Sequence, residues 1–168
     1  MHNKIMLCLV MFLLLSCTYK KEDKMLNQPL DITVKCKGNT QCYLINGEDM
    51  LFIEIIITNK HNSAIGYPLE YLKKTGPIIR LTDMHTKKET DVATGTPYPA
   101  LQEKFTMIQP GKSLALEWTI FSYDLKQISG MHVDVTAEIT MTDRILVDGK
   151  HVLYKDVKRI RIVNKDKP

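Results

Sequence analysis

The sequence has no hydrophobic run long enough to cross a bilayer, no concentrated stripe of positive charge and no familiar catalytic motif. Its longest apolar run covers residues 5–15, whereas a membrane-spanning helix takes about 20 residues. The formal net charge is +4 and the cations are spread along the chain, while nucleic-acid binding needs a concentrated basic patch. We therefore predict neither a membrane-spanning helix in this run nor a nucleic-acid partner.

The chain also lacks the residue patterns that carry enzyme chemistry. It contains no H-E-x-x-H metal motif, no G-x-S-x-G nucleophile motif and no glycine-rich phosphate loop. The five histidines are scattered and stand next to turn residues or among polar strand positions. We therefore predict a protein that is not an enzyme and that uses no metal and no cofactor.

What the chain does have begins at its amino terminus. A basic start and the short apolar run are followed by a small residue, Ser16, which is typical of a secretory signal. The residues Leu14-Leu15-Ser16-Cys17 resemble the lipobox of bacterial lipoproteins. The resemblance implies that residues 1–16 are removed and that Cys17 carries palmitate and further acyl chains. An ordinary signal peptide or an amino-terminal anchor is the alternative.

The same resemblance implies an address. Residue 18 is threonine rather than the aspartate that retains enterobacterial lipoproteins at the inner membrane. The expected location is therefore the periplasmic face of the outer membrane. Residues 17–28 are polar and rich in charge, which predicts a flexible tether behind the lipid. Residues 29–168 then form one domain.

The remaining two cysteines, Cys36 and Cys42, lie six positions apart around a turn-forming Gly-Asn pair. The periplasm is oxidising, so we predict that they form a disulfide. A two-cysteine metal site is the competing interpretation, but two further ligands are missing nearby.

Apolar and polar residues alternate through most of the domain, which indicates strands. The segment 50–59 is rich in β-branched residues and apolar on both faces, so we predict a central strand covered on both sides. Residues 131–142 alternate most regularly, with Met131 predicted to point inward. Asp148-Gly149 between apolar flanks predicts a tight hairpin. Helical character is expected only near residues 68–73. The pattern predicts an all-β fold: a single antiparallel sandwich of seven or eight strands.

Two stretches stand out as candidate contact surfaces. The first is a charged run that contains Asp83, His85, Lys87, Lys88 and Asp91. This run contributes to partner binding, or Asp83, His85, Glu89 and Asp91 hold a cation, or the run is a solvated loop of mixed charge. The second is TGTPYPAL, in which Pro97 and Pro99 flank Tyr98. A rigid aromatic residue on a loop makes a good binding anchor, although Tyr98 covering the edge of the core is the alternative.

The order of landmarks along the chain resembles a small Ig-like module. These landmarks are MLFIEIIITN, PLEYL, PIIRLTD, YPALQEKFTMIQPGKSLALEWTIFSYDL and SGMHVDV. Such modules precede the catalytic domain in some lysine-specific zinc endopeptidases and also occur as free-standing bacterial lipoproteins. The resemblance implies an Ig-like fold without the zinc-binding domain. His132 stands where the family has tyrosine, so a buried tyrosine is not expected there.

Three functions follow as hypotheses. The first is an immunity or inhibitor protein that binds and neutralises a toxic secreted effector or hydrolase. This hypothesis rests on similarity to the small outer-membrane lipoproteins encoded beside type VI secretion effectors, particularly phospholipases. The second is an assembly lipoprotein of an envelope complex that binds its partner through exposed edge strands or loops. The third is an enzyme or metal carrier, which the missing motifs disfavour.

Overall fold

The computed structural model describes residues 28–38 and 41–165. The predicted signal peptide, the predicted lipidation site Cys17 and nearly all of the predicted tether lie outside these residues. Ten strands are described. They are β1 (Leu30–Cys36), β2 (Cys42–Ile45), β3 (Met50–Asn59), β4 (Ile65–Tyr67), β5 (Ile78–Asp83), β6 (Glu89–Asp91), β7 (Thr106–Ile108), β8 (Ser113–Phe121), β9 (Asp134–Val147) and β10 (Lys150–Lys165). Two α-helices, α1 (Leu69–Thr75) and α2 (Ser122–Ser129), and a 3₁₀ helix (Pro99–Leu101) connect them.

The strands form two sheets. The smaller sheet has the order β1-β3-β8 and is antiparallel. The larger has the order β2-β10-β9-β4-β7, and β5 pairs with β9 while β6 pairs with β5. The strands dominate the structure, so the all-β prediction is confirmed. The prediction of seven or eight strands that are all antiparallel is wrong, because ten strands are described and β2 runs parallel to β10. The difference arises mainly from short strands, which carry too few residues for an alternation pattern to be visible.

One hydrophobic core joins the two sheets. Leu51, Ile53, Ile55 and Ile57 of β3 are buried in it, together with residues of both sheets and of both helices. β3 is central in its sheet, as predicted. The prediction that β3 is covered on both sides is wrong, because Phe52 on the other face is 42% exposed. The smaller sheet therefore buries one face only.

The region before β9 differs from the prediction. α2 forms outside residues 68–73, where alone helical character is expected, because its inward residues Leu125 and Ile128 are too few to reveal a helical period. Gly130, with φ +66°, ends the helix. β9 therefore begins only at Asp134, and Met131 is 79% exposed rather than inward. From Val133 onward the predicted inward residues are buried.

Two local predictions are confirmed. The helix near residues 68–73 is α1, and it ends at Gly76. The β9–β10 hairpin turns at Asp148 and Gly149, whose φ values are +48° and +74°. Two successive left-handed residues are the signature of the tight turn that matches strand twist.

Candidate functional site

The turn between β5 and β6 is built around Asp83, which is only 2% exposed. Its Oδ1 atom accepts hydrogen bonds from the backbone N–H groups of His85, at 3.0 Å, and Thr86. Its Oδ2 atom accepts a bond of 2.6 Å from the Ser129 hydroxyl at the end of α2. The Ser129 bond, followed by those from Thr86 and His85, holds the pKa of Asp83 well below its ordinary value. Asp83 therefore organises the turn and joins it to α2.

The other charged residues of this run lie on the surface. His85 Nε2 lies 3.3 Å from Asp134 Oδ2, and Arg80 Nε donates to Asp91 Oδ1 at 3.0 Å. Lys87 and Lys88 are exposed. Within the described part of the chain, no group of three or more His, Cys, Asp or Glu residues is placed to hold a metal ion. A partner-binding role therefore stays a prediction for the exposed residues His85, Lys87, Lys88 and Asp91.

The segment that carries Tyr98 is held against α1. The Gly95 N–H donates to the Thr75 carbonyl at 2.7 Å, and the Leu101 N–H donates to the Tyr98 carbonyl at 2.9 Å. A Cβ atom at Gly95 would lie 2.1 Å from the Lys74 carbonyl oxygen, so this close approach requires glycine. Tyr98 itself is 56% exposed. The segment thus presents an exposed aromatic ring between a backbone bond to α1 at Gly95 and the local 3₁₀ turn Pro99–Leu101.

The structure does not bring Tyr98 and the charged turn together. The Asp83 N–H bonds to the Lys88 carbonyl at the carboxyl end of β5, whereas the Gly95 N–H reaches Thr75, which precedes β5. β5 lies between them, and its six residues span about 20 Å at the usual rise of a strand. The two sequence candidates are therefore separate surfaces at opposite ends of one strand.

A third surface, which the sequence analysis missed, is an apolar groove of about 750 Å³. One wall is the end of β8, where Glu117, Thr119 and Phe121 lie, and the opposite wall is the segment Val92–Ala93 after β6. The half-buried Trp118 also lines it. The sequence signals for it are the lone tryptophan and the apolar Phe121 three residues later.

Trp118 of β8 packs against the end of α1. A Cβ atom at Gly76 would lie 2.2 Å from Cζ2 of the indole, so the ring rests directly on the Gly76 backbone. Gly76 has φ +77° and ψ 168°, a conformation that side-chain-bearing residues avoid. The glycine at the end of α1 is therefore required both by the backbone turn and by the tryptophan.

A smaller polar cleft lies beside the buried pair Tyr67 and Asp143. The Tyr67 hydroxyl donates to Asp143 Oδ2, and both residues belong to the interior. Burial raises the pKa of Asp143, and the bond from Tyr67 opposes that rise. The cleft, of about 260 Å³, is also lined by Glu103 and Arg144. Sequence reasoning could not find this pair, because its members are 76 residues apart.

The predicted disulfide between Cys36 and Cys42 is confirmed, with the two Cα atoms 5.2 Å apart. It joins the end of β1 to the start of β2, and hence the smaller sheet to the larger one. The metal-site alternative for these cysteines is thereby excluded.

Among the described helices, none has the length and apolar character that a membrane crossing demands.

Comparison with known proteins gives no family. No family model matches the chain, and no curated protein matches it. A Northeast Structural Genomics Consortium target is similar at 13% identity and a TM-score of 0.44, over 80% of this chain and 88% of that one. A β-glucosidase from Listeria innocua in complex with isofagomine is 10% identical with a TM-score of 0.35, over 82% of this chain and 16% of the glucosidase. Similarities this weak carry no argument about fold or function.

Proposed function

We propose that the protein is a non-catalytic lipoprotein that binds and neutralises a toxic secreted effector or hydrolase. The proposal places it at the periplasmic face of the outer membrane, anchored through Cys17, and its two sheets form an Ig-like sandwich. A type VI secretion phospholipase is the effector class that the sequence resemblance favours. Inhibition of this kind needs only a rigid surface that covers the effector's active site.

The observation that carries the proposal is the Tyr98 segment. Binding loses free energy when a flexible loop must be ordered, so a pre-ordered anchor favours tight inhibition. Tyr98 is 56% exposed. Before it, the Gly95 N–H bonds to the Thr75 carbonyl of α1, and after it the chain closes into a local turn through the bond from the Leu101 N–H to the Tyr98 carbonyl. An exposed tyrosine on a fixed backbone has the properties of an interface hot spot.

The test is protection against the toxins encoded beside the gene. Cells that lack the protein should die when such a toxin reaches the periplasm, and the intact gene should rescue them. Tyr98→Ala should weaken binding of the purified toxin by about 2 kcal/mol or more without a change in the melting temperature. Phe52→Ala is a control, because Phe52 is also an exposed aromatic residue but does not belong to the Tyr98 segment. Survival of the deletion strain with every neighbouring toxin would contradict the proposal.

Lipid anchoring has its own test. Cys17→Ser should abolish labelling by radioactive palmitate and release the protein from the membrane fraction. Continued labelling of that variant would show that the anchor lies elsewhere.

Assembly of an envelope complex is a second candidate, favoured by one observation. β8 is an edge strand of the smaller sheet, and edge strands are templates for pairing with a partner. The two functions differ in phenotype. An assembly protein should give an envelope defect without any toxin, whereas an immunity protein should be dispensable until the toxin arrives.

A further inference from the structure

The register of β3 and β8 shows which backbone groups of β8 are unpaired. The Asn59 N–H donates to the Lys112 carbonyl at 3.0 Å, and the Ser122 N–H donates to the Asp49 carbonyl at 2.8 Å. Both pairs continue the β3–β8 register. In an antiparallel ladder the bonded positions alternate, so the even-numbered residues of β8 bond to β3. The N–H and C=O groups of the odd-numbered residues therefore point away from β3.

Three of these odd-numbered residues, Glu117, Thr119 and Phe121, form the β8 wall of the groove. The Phe121 carbonyl stands at the N-cap of α2, where it accepts the first helical bond. For the Phe121 N–H and for both backbone groups of Glu117 and Thr119, no bond to a residue outside β3 occurs among residues 28–38 and 41–165. The groove thus has a row of free donors and acceptors along one wall and apolar surface from Trp118 and Val92 beside it. An added strand needs this combination of backbone partners and side-chain pockets.

The charge of the groove restricts what binds there. Its charged residues are Asp49, Glu117 and Asp124, and it contains no Lys or Arg. Glu117 Oε1 lies 2.7 Å from Lys37 Nζ and is thereby neutralised. Asp49 and Asp124 take part in no ion pair within the described part of the chain. The groove therefore favours a cationic occupant and disfavours an anionic one.

We propose that this groove docks an extended segment of a partner protein in which apolar residues alternate with lysine or arginine. The segment pairs with β8 as a fourth strand of the smaller sheet. Its apolar side chains lie over Trp118, and its cationic side chains approach Asp49 and Asp124. The inference is independent of the proposed function, because a protein that bound an effector through Tyr98 alone would leave this groove empty.

Trp118 makes the proposal directly measurable, since it is the only tryptophan in the sequence. The probe is a nine-residue peptide of alternating lysine and valine, added to the full chain in detergent. Binding should change the Trp118 fluorescence and should slow amide hydrogen exchange at Glu117, Thr119 and Phe121. The amides of Leu116 and Trp118, already bonded to β3, should be unchanged.

Two forms of the peptide provide the sharpest control. In one form the backbone N–H groups that would face β8 are methylated, and in the other form the alternate set is methylated. The first form should bind at least about tenfold more weakly than the second, because its donors are lost and its methyl groups block the approach. A peptide with glutamate in place of lysine should also bind more weakly, because it meets Asp49 and Asp124.

Protein variants provide a second control. Thr119→Pro removes an N–H that β3 does not use, a change that an edge strand tolerates, and it should weaken peptide binding about tenfold. Thr119→Ala keeps the N–H and should bind nearly as the unchanged protein does. The methylated peptides test the same bond even if Thr119→Pro fails to fold.

Three results would overturn the proposal. The first is an unchanged fluorescence up to about 1 mM peptide, a very weak affinity. The second is equal binding of the two methylated forms. The third is protection of Glu117, Thr119 and Phe121 that rises with protein concentration in the absence of peptide, which would assign this edge to a second copy of the chain. The Tyr98→Ala variant should bind the peptide as the unchanged protein does, so this test and the test of toxin protection can fail independently.

Discussion

The two edge strands of the smaller sheet, β1 and β8, differ in how they are joined to the rest of the protein. On the β1 side, the Cys36–Cys42 disulfide joins the two sheets, and the Tyr154 hydroxyl of β10 donates to the Leu30 carbonyl of β1 at 3.3 Å. On the β8 side, a groove lies between the strand and the segment after β6, and the half-buried Trp118 lines it and packs on Gly76. We refer to these as the closed side and the open side.

The difference teaches how one sheet can serve both stability and recognition. A covalent bond between the sheets constrains the unfolded chain and requires no surface to remain free. On the open side the outward backbone groups of β8 stay available, and the packing there depends on the aromatic side chain of Trp118. Asp49 and Asp124 beside this edge also disfavour pairing between two copies, since like charges would then approach each other.

The largest expected change in stability comes from removing the Trp118 side chain on the open side. Trp118→Ala should lower the free energy of unfolding by about 3 kcal/mol, the lower end of the range for large aromatic side chains, because the ring is only half-buried. Urea denaturation followed by circular dichroism measures the change. A loss below about 1 kcal/mol would mean that the open side does not depend on this ring.

The closed side should contribute somewhat less. Replacing both Cys36 and Cys42 by serine should lower the free energy of unfolding by about 2 kcal/mol, because the disulfide closes only a short loop. The fluorescence of Trp118 should stay unchanged, since the ring lies at the other edge of the sheet. A shifted emission spectrum in this variant would show that the two sides are coupled.

The glycines that end the two helices form a matched pair. Gly76 and Gly130 both have positive φ, but a Cβ atom meets the Trp118 ring at Gly76 and nothing within 4 Å at Gly130. Gly76→Ala should therefore destabilise the protein by roughly 1–2 kcal/mol more than Gly130→Ala, through overpacking on the open side. Thermal denaturation of both variants gives the comparison, and equal losses would leave only backbone strain as the cause.

The smallest effect concerns the turn that α2 holds near the open side. Ser129→Ala removes the main cause of the lowered pKa of Asp83, so that pKa should rise toward its ordinary value of 3.8. The stabilisation from a lowered pKa is present above the ordinary value and is lost as pH falls below it, so the variant should lose less stability in acid. Carbon NMR titration of Asp83 measures this, with Thr136→Ala as the control. An unchanged pKa would contradict the assigned hydrogen bond.

Much of the fold follows from alternation in the sequence. β1, β8 and most of β9 show the two-residue period of strands that bury one face, and Asp148-Gly149 specifies its hairpin through local backbone preference. β3 is recognisable by its β-branched content instead. The short elements β2 and α2 were not predicted, because their four and eight residues contain too few repeats to show a period. The predicted core position of Met131 failed because a strand pattern was extended into a connection.

The candidate sites were less predictable than the strands. Exposed aromatic and charged residues such as Tyr98 and His85 are visible in the sequence, but their separation by the length of β5 is not. Asp83 looked like its charged neighbours, yet its hydrogen bonds with Ser129, 46 residues away, make it a buried structural ion. Hydrogen-bond partners at such distances depend on the path of the chain and leave no local pattern.

The sequence by itself determined the all-β character, the central position of β3 and the cysteine pair, because alternation, β-branched content and two cysteines spaced around a turn are local features of a few neighbouring residues. Only the tertiary structure decided that β2 joins the larger sheet in parallel, that Asp143 is buried with Tyr67, and that β8 is left with a free edge beside Trp118. These features depend on which strands become neighbours, and strand neighbours are chosen by burial of the whole core rather than by any one segment.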